Sequence, residues 1–142
     1  MKRLEIRWQR LISSGETCPR CSSTEKELEK AIHSLKQSLT PLGIEVVVQK
    51  DEICIQEFEK DPLRSNQIWV NKRPLEDWLA AQVGQSPCCE VCGPSDCRTL
   101  ILEGETYETI PAEMIVMAGL FAALELMRCE SEDPCCLGEV PR

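Results

Sequence analysis

Cysteine dominates the chemistry available to this chain: there are 10 in 142 residues. Two of them enclose the motif Cys18-Pro19-Arg20-Cys21. A cysteine at the entrance of a helix meets unpaired N–H groups and the positive end of the helix dipole. Both favour thiolate over thiol and lower a pKa of ~8.5 toward neutrality. Cys21 follows one helical turn later, close enough for the two sulfurs to close and reopen a small-ring disulfide, a two-electron switch. Arg20 adds positive charge, and Pro19 suits a first helical position, where no N–H is needed. A C-x-x-C pair is also half of a structural zinc site. Zinc knuckles usually occupy tight turns, however, whereas this pair follows a strand and opens a helix inside a β-α-β unit, the setting of a redox dithiol. The expectation is thiol–disulfide exchange by Cys18 and Cys21, for which no cofactor is required.

A second cluster, Cys88, Cys89, Cys92 and Cys97, reads C-C-x2-C-x4-C. Soft thiolates select zinc, copper(I), iron–sulfur clusters, mercury and arsenic(III). One reading is a closed four-thiolate zinc site that stabilises a long loop. Another has these thiols exchanging disulfides with Cys18 and Cys21, or holding a thiophilic metal or metalloid for transfer. An iron–sulfur cluster fits less well, because the spacing matches neither usual ferredoxin pattern. Adjacent cysteines such as Cys88-Cys89 do not close a relaxed disulfide with each other and tend to serve different partners. The same holds for Cys135-Cys136, which either hand over a metal or oxidising equivalent or simply belong to a polar tail. Cys54 and Cys129 have no close sequence partner and are expected to be buried and inert.

Composition narrows the setting. The length suits one domain, and 42% hydrophobic with 28% charged residues suggests neither disorder nor a membrane protein. The N-terminus alternates charged and apolar residues and has no apolar export segment, so a reducing cytoplasm is expected, where clustered cysteines are more often ligands or redox groups than staples. A net charge of −8 argues against nucleic acid as a partner. The single histidine, His33, leaves sulfur as the main material of any site.

The elements that must position these thiols follow from periodicity. Leu4, Ile6 and Trp8 alternate with Glu5, Arg7 and Gln9, predicting a first strand to about Ile12. Ser13 to Thr17 is a polar turn. Leu28, Ile32, Leu35 and Leu39 recur at helical spacing, with His33 on the polar face, until Pro41 and Gly43 end the helix. Ile44–Gln49 predicts a second strand, parallel to the first. Asp51 to Asp61 reads as a short helix, Gln67 to Asn71 as a strand, and Leu75 to about Val83 as a helix. Residues 84–98 have no periodicity and read as a Cys-rich loop, followed by a hairpin of Thr99 to Leu102 and Thr106 to Ile110. Pro111 opens an apolar helix to about Met127, interrupted by Glu113, Gly119 and Glu125 and so expected in a core rather than a membrane. Trp8, Trp69 and Trp78 are expected in the core. Residues 1–128 form the expected domain, and 129–142 a tail.

The order of strand, C-P-x-C, helix, strand, further strand, hairpin and last helix resembles the thioredoxin superfamily. More closely, Cys18-Pro-Arg-Cys21, Asn71-Lys-Arg-Pro-Leu-Glu76, Ser86-Pro-Cys-Cys89 and Tyr107-Glu-Thr-Ile-Pro-Ala-Glu113 together look like an uncharacterised family of prokaryotic thioredoxin-like domains. The resemblance covers residues 4 to about 125. It implies an α/β, thioredoxin-like fold: a central mixed sheet flanked by helices, with the Cys-rich loop inserted before the final hairpin. It implies no substrate. One departure matters: thioredoxins place a cis-proline just before the third strand, and Ser65-Asn66 stands there instead. That counts against ordinary protein-disulfide reduction and leaves the site freer to admit a metal ion. Two functions stay open on these residues. One is a thiol–disulfide oxidoreductase with a thiol or disulfide protein partner, and the other a protein that captures a soft metal or metalloid ion.

Overall fold

Leu4, Ile6 and Trp8 are buried and their neighbours Glu5 and Arg7 are not, as the period of two requires of strand β1 (Lys2–Leu11). The computed structural model describes residues 2–12, 19–87 and 96–128. Helix α1 (Pro19–Leu39) follows, and buries Leu28, Ala31, Leu35 and Leu39 along one face. A short 3-10 turn at Thr40–Leu42 carries Pro41, and Gly43 at φ +76° closes it in a conformation that side chains other than glycine resist. Strand β2 (Ile44–Ile53) then pairs parallel with β1 along its whole length, Lys2 beside Ile44 and Leu11 beside Ile53. His33 is exposed on the polar face of α1, as its spacing predicts.

Beyond β2 come α2 (Ile55–Lys60), a second 3-10 turn (Pro62–Arg64), β3 (Gln67–Val70) and the two-residue β4 (Arg73–Pro74). β3 runs antiparallel to β1, with Ile6 opposite Val70 and Trp8 opposite Ile68, so the four side chains share the buried face. The strand order is β2-β1-β3-β4, which leaves β2 at an outer edge among the described residues. Helix α3 (Leu75–Leu79) ends at Ala80, which adopts a left-handed conformation. The last helix, α4 (Ala112–Arg128), lies against α1, β1 and β3. Small residues make this packing close: a β-carbon on Gly119 would come within 2.7 Å of Leu35 Cδ1. No helix among the described residues is long and apolar enough to cross a membrane.

Several boundaries differ from expectation, and each has a local cause. β1 ends one residue early, at Leu11, while β2 runs on through Asp51 to Ile53, so the short helix after it begins only at Ile55. α3 stops at Leu79 rather than near Val83. Both ends of the expected loop 84–98 are strand, residues 88–95 lying outside the described ones: β5 (Gln82–Pro87) pairs with β6 (Asp96–Leu102), which continues into the hairpin with β7 (Glu105–Tyr107). These three strands form a second sheet, not part of the central one. Gly84, Ser86 and Pro87 hide this from periodicity because backbone pairing, not an apolar face, forms the ladder. Trp8 is fully buried and Trp78 packs on the core, donating its indole N–H to Val70 O at 2.8 Å. Trp69 instead lies half-buried on the opposite, polar face of the sheet, 4.7 Å beneath the Arg7 guanidinium.

Three side chains of α1 stitch distant segments to its first turns. Cys21 meets Ser65, Thr24 accepts the Ile110 N–H at 3.2 Å, and Glu27 accepts the Ala112 N–H at 3.0 Å where α4 begins. Glu27 also bonds Lys30 at 2.8 Å; that hydrogen bond first, then the one from Ala112, holds its carboxyl below the usual value of 4.5. A depressed carboxylate stabilises the fold fully above its unfolded value and loses that contribution as pH falls through the folded one. Glu27→Gln keeps an acceptor oxygen and removes only the charge, so it should lower stability at pH 7 by about 0.5–1 kcal/mol, as loss of a carboxylate at a helix start does. In urea titrations the gap between variant and parent should close below about pH 4.

Candidate functional site

Helix α1 opens at Pro19, which has no N–H, so its unpaired N–H groups begin at residue 20, two after Cys18 in the chain. Cys18 itself lies outside the described residues. Cys21 sits in the first turn of α1 with 1% of its surface exposed, among the apolar side chains of the core. Its Sγ lies 3.5 Å from Ser65 Oγ.

The position of Ser65 follows from the register of β3. Continuing the antiparallel pairing of Ile6 with Val70 and Gln9 with Gln67 would set residue 65 opposite Leu11. Asn66 interrupts the strand first, at φ +58°. In place of a backbone carbonyl, the Ser65 hydroxyl accepts the Leu11 N–H at 3.3 Å. With one lone pair so engaged, the hydroxyl can direct its own hydrogen at sulfur. Asn66 is held as tightly: Trp8 Nε1–H donates to its Oδ1 at 3.1 Å, and its own Nδ2–H reaches Glu108 O at 3.5 Å. Gln9 Nε2–H donates to Arg64 O at 2.8 Å. Ser65 and Asn66 thus form a buried polar corner in contact with the second cysteine of the motif.

The second sheet is tied to the same corner. Arg98 is buried; it donates to Leu63 O at 2.8 Å and pairs with the Glu76 carboxylate. Cys97 precedes it on β6, and its backbone pairs with Ser86. Ser86 Oγ–H donates to Glu108 Oε2 at 3.1 Å, and the carbonyl of Glu108 is the one that accepts from Asn66. Of the expected second cluster, Cys88, Cys89 and Cys92 lie outside the described residues, as do Cys129, Cys135 and Cys136 of the tail. Among the described residues, no three histidine, cysteine or acidic side chains converge to hold a metal ion.

Cys54 departs from expectation. It is exposed rather than buried, at the position that starts α2, and its Sγ lies 3.5 Å from Glu57 Oε1. Four contributors to the site were missed by periodicity. Ser65 has no apolar pattern to mark it, and its signal is its place before β3. Arg98 and Glu76 find each other across elements whose pairing the sequence does not reveal. Thr24 is marked only by its spacing of three from Cys21.

The corner is testable through Asn66. Asn66→Gly keeps the backbone conformation and removes the acceptor of the buried Trp8 indole, which should cost about 1–2 kcal/mol. Asn66→Ala adds a left-handed backbone penalty of about 1 kcal/mol to that loss. Chemical denaturation should rank the parent above the glycine variant and the glycine variant above the alanine one.

The family described as "Domain of unknown function (DUF2703)" matches residues 4–119. An uncharacterized protein of Archaeoglobus fulgidus is 48% identical over 112 residues, 79% of this chain and 82% of that protein. No solved structure matches. The match takes in most of β1, the Cys18 to Cys21 motif, the Ser65-Asn66 corner and the other strands of both sheets, and this chain belongs to the DUF2703 family.

Proposed function

We propose that this chain is a thioredoxin-like thiol–disulfide redox protein in which Cys18 attacks and Cys21 resolves. The observation that carries this reading is the placement of the Cys21 sulfur: buried in the first turn of a helix that begins directly after residue 18, inside a parallel β1-α1-β2 unit. A dithiol of this kind needs one sulfur at the helix entrance to react with a partner. It needs a second behind it, shielded from outside reagents, to close the ring.

The exchange balances as follows. The Cys18 thiolate attacks one sulfur of a partner disulfide, forming a mixed disulfide and releasing the other partner sulfur as a thiolate. The Cys21 thiolate then attacks the Cys18 sulfur and displaces the remaining partner sulfur. Two electrons and two protons pass to the partner, and a Cys18–Cys21 disulfide remains for a cellular thiol reductant to reopen. Ser65 assists the second step, because its hydroxyl, 3.5 Å from the Cys21 sulfur, holds that sulfur in position to attack.

A second reading, capture of a soft metal or metalloid ion by Cys18, Cys21 and the thiols of residues 88–97, draws on a separate observation. The hydrogen-bond path from Ser86, the backbone partner of Cys97, through Glu108 to Asn66 keeps the β5-β6 pair fastened beside the corner that Cys21 touches.

Cys21→Ser protein, incubated with a small disulfide such as oxidised glutathione or with a disulfide-bonded protein, should accumulate a mixed disulfide at Cys18, visible by intact mass. The Cys18→Ser protein should accumulate none at residue 21. Absence of any adduct, together with no disulfide turnover by the parent chain, would overturn the redox reading. Ser65→Ala should slow release of the mixed disulfide about 3- to 10-fold, the effect of losing one hydrogen bond to a reacting group. For the metal reading, anaerobically purified protein should contain zinc or copper, or take up arsenite or mercury tightly. A preparation that holds none and binds none rejects it.

A further inference from the structure

Helix α4 is built the wrong way round for a helix with one neighbour. The side it turns to the core carries small residues, Ala118, Gly119, Ala122 and Ala123 beside Met114 and Ile115. Its outward side carries Met117, Leu120, Phe121 and Leu124, each between 44% and 58% exposed. Placed at 100° per residue, these four side chains and the exposed Glu113 and Arg128 fall on one stripe about 100° wide. Such a stripe of large apolar residues is the face a helix offers to a partner.

The stripe is symmetric about its own midpoint. Reversed end to end, it places Met117 on Leu124, Leu120 on Phe121, and the acidic Glu113 on the basic Arg128. We infer that α4 is a self-complementary interface on which a second copy of this chain packs its own α4 antiparallel, the two-fold axis passing between Leu120 and Phe121. The apolar residues of each copy then cover those of the other, and Glu113 of one copy meets Arg128 of the second at both ends of the seam. Antiparallel helix dipoles add to the attraction. A self-matching patch of this kind is what two-fold association requires. A membrane surface is a poorer occupant, because amphipathic helices that lie on bilayers are rich in lysine and arginine and this chain carries a net charge of −8.

One helix face buries less than the roughly 1,600 Å² of a standard stable interface, so dissociation in the micromolar range is expected. Sedimentation of the full chain, run with a non-thiol reductant and a chelator so that neither disulfides nor metals link the copies, should show a monomer–dimer equilibrium between about 1 and 200 μM. Leu120→Glu should weaken it by about 100-fold or more, as loss of a central apolar anchor does. Glu113→Arg alone and Arg128→Glu alone should each weaken it about 5- to 10-fold, and the double exchange should restore it. Both charge variants lie on the surface, so their folding is not at stake. A monomer at all concentrations overturns the inference, whether the stripe is covered by residues 129–142 or binds lipid vesicles instead. So does a dimer indifferent to Leu120→Glu, or a double exchange no better than the single ones.

Discussion

The Ser65-Asn66 corner is where the structure is most constrained. A strand that continued two residues further would have paired its backbone with Leu11; a left-handed Asn66 stops it, and two short polar side chains satisfy the groups that the break exposes. Each of these bonds is buried, and a buried donor left without its acceptor costs far more than a surface one. The Trp8 indole, the Leu11 amide and the Cys21 sulfur all converge there. The corner thus joins the second half of β1, the entrance of α1 and the start of β3.

The consequence for the cysteines is an asymmetry. Cys21 is placed by packing: it belongs to the core cluster, and its sulfur has a fixed polar neighbour. Cys54, just before α2, is exposed and lies outside that cluster. A chain rich in cysteine therefore does not treat its thiols alike. The second sheet is fixed to the same region by a buried guanidinium, Arg98, held between a carbonyl and the Glu76 carboxylate. Pairs of this type add little net stability compared with an apolar substitute, yet breaking one leaves a stranded charge that costs several kcal/mol. Such a contact fixes position more than it adds strength, alongside the packing of Leu100 of the same sheet into the core.

Periodicity carried β1, α1, β2, β3 and α4 legibly, because in each a single face is buried and the apolar residues repeat at the period of the element. It failed where burial does not set the pattern. Gly84, Ser86 and Pro87 give β5 no alternation, and the strand exists because β6 pairs with it. Trp69 looked like core by residue type, but the polar face of the sheet holds it under Arg7, whose own charge is matched by Asp51. Cys54, expected inward because no other cysteine lies near it in sequence, is exposed. The motif at Cys18 and Cys21 was legible because its chemistry depends on a helix start, which proline and spacing announce. The neighbour of Cys21 was not, since a lone serine before a strand has no periodic signature. Residues 4–119 also fall within one family, so the motif and the corner that receives it lie within the same family match.

The outer strand β2 is long, and on its far side a row of amides and carbonyls has no strand beside it among the described residues. Ordinarily such a row invites a stray extended chain to zip on and grow into insoluble fibres. Here Glu45, Gln49, Lys50 and Glu52 stand along it in water, with Lys50 bonded across to Glu25 and Glu29 of α1. Any intruding segment would have to strip the hydration from those charges and pull that lysine loose. The molecule can thus keep a ten-residue border open without becoming a template for its own precipitation.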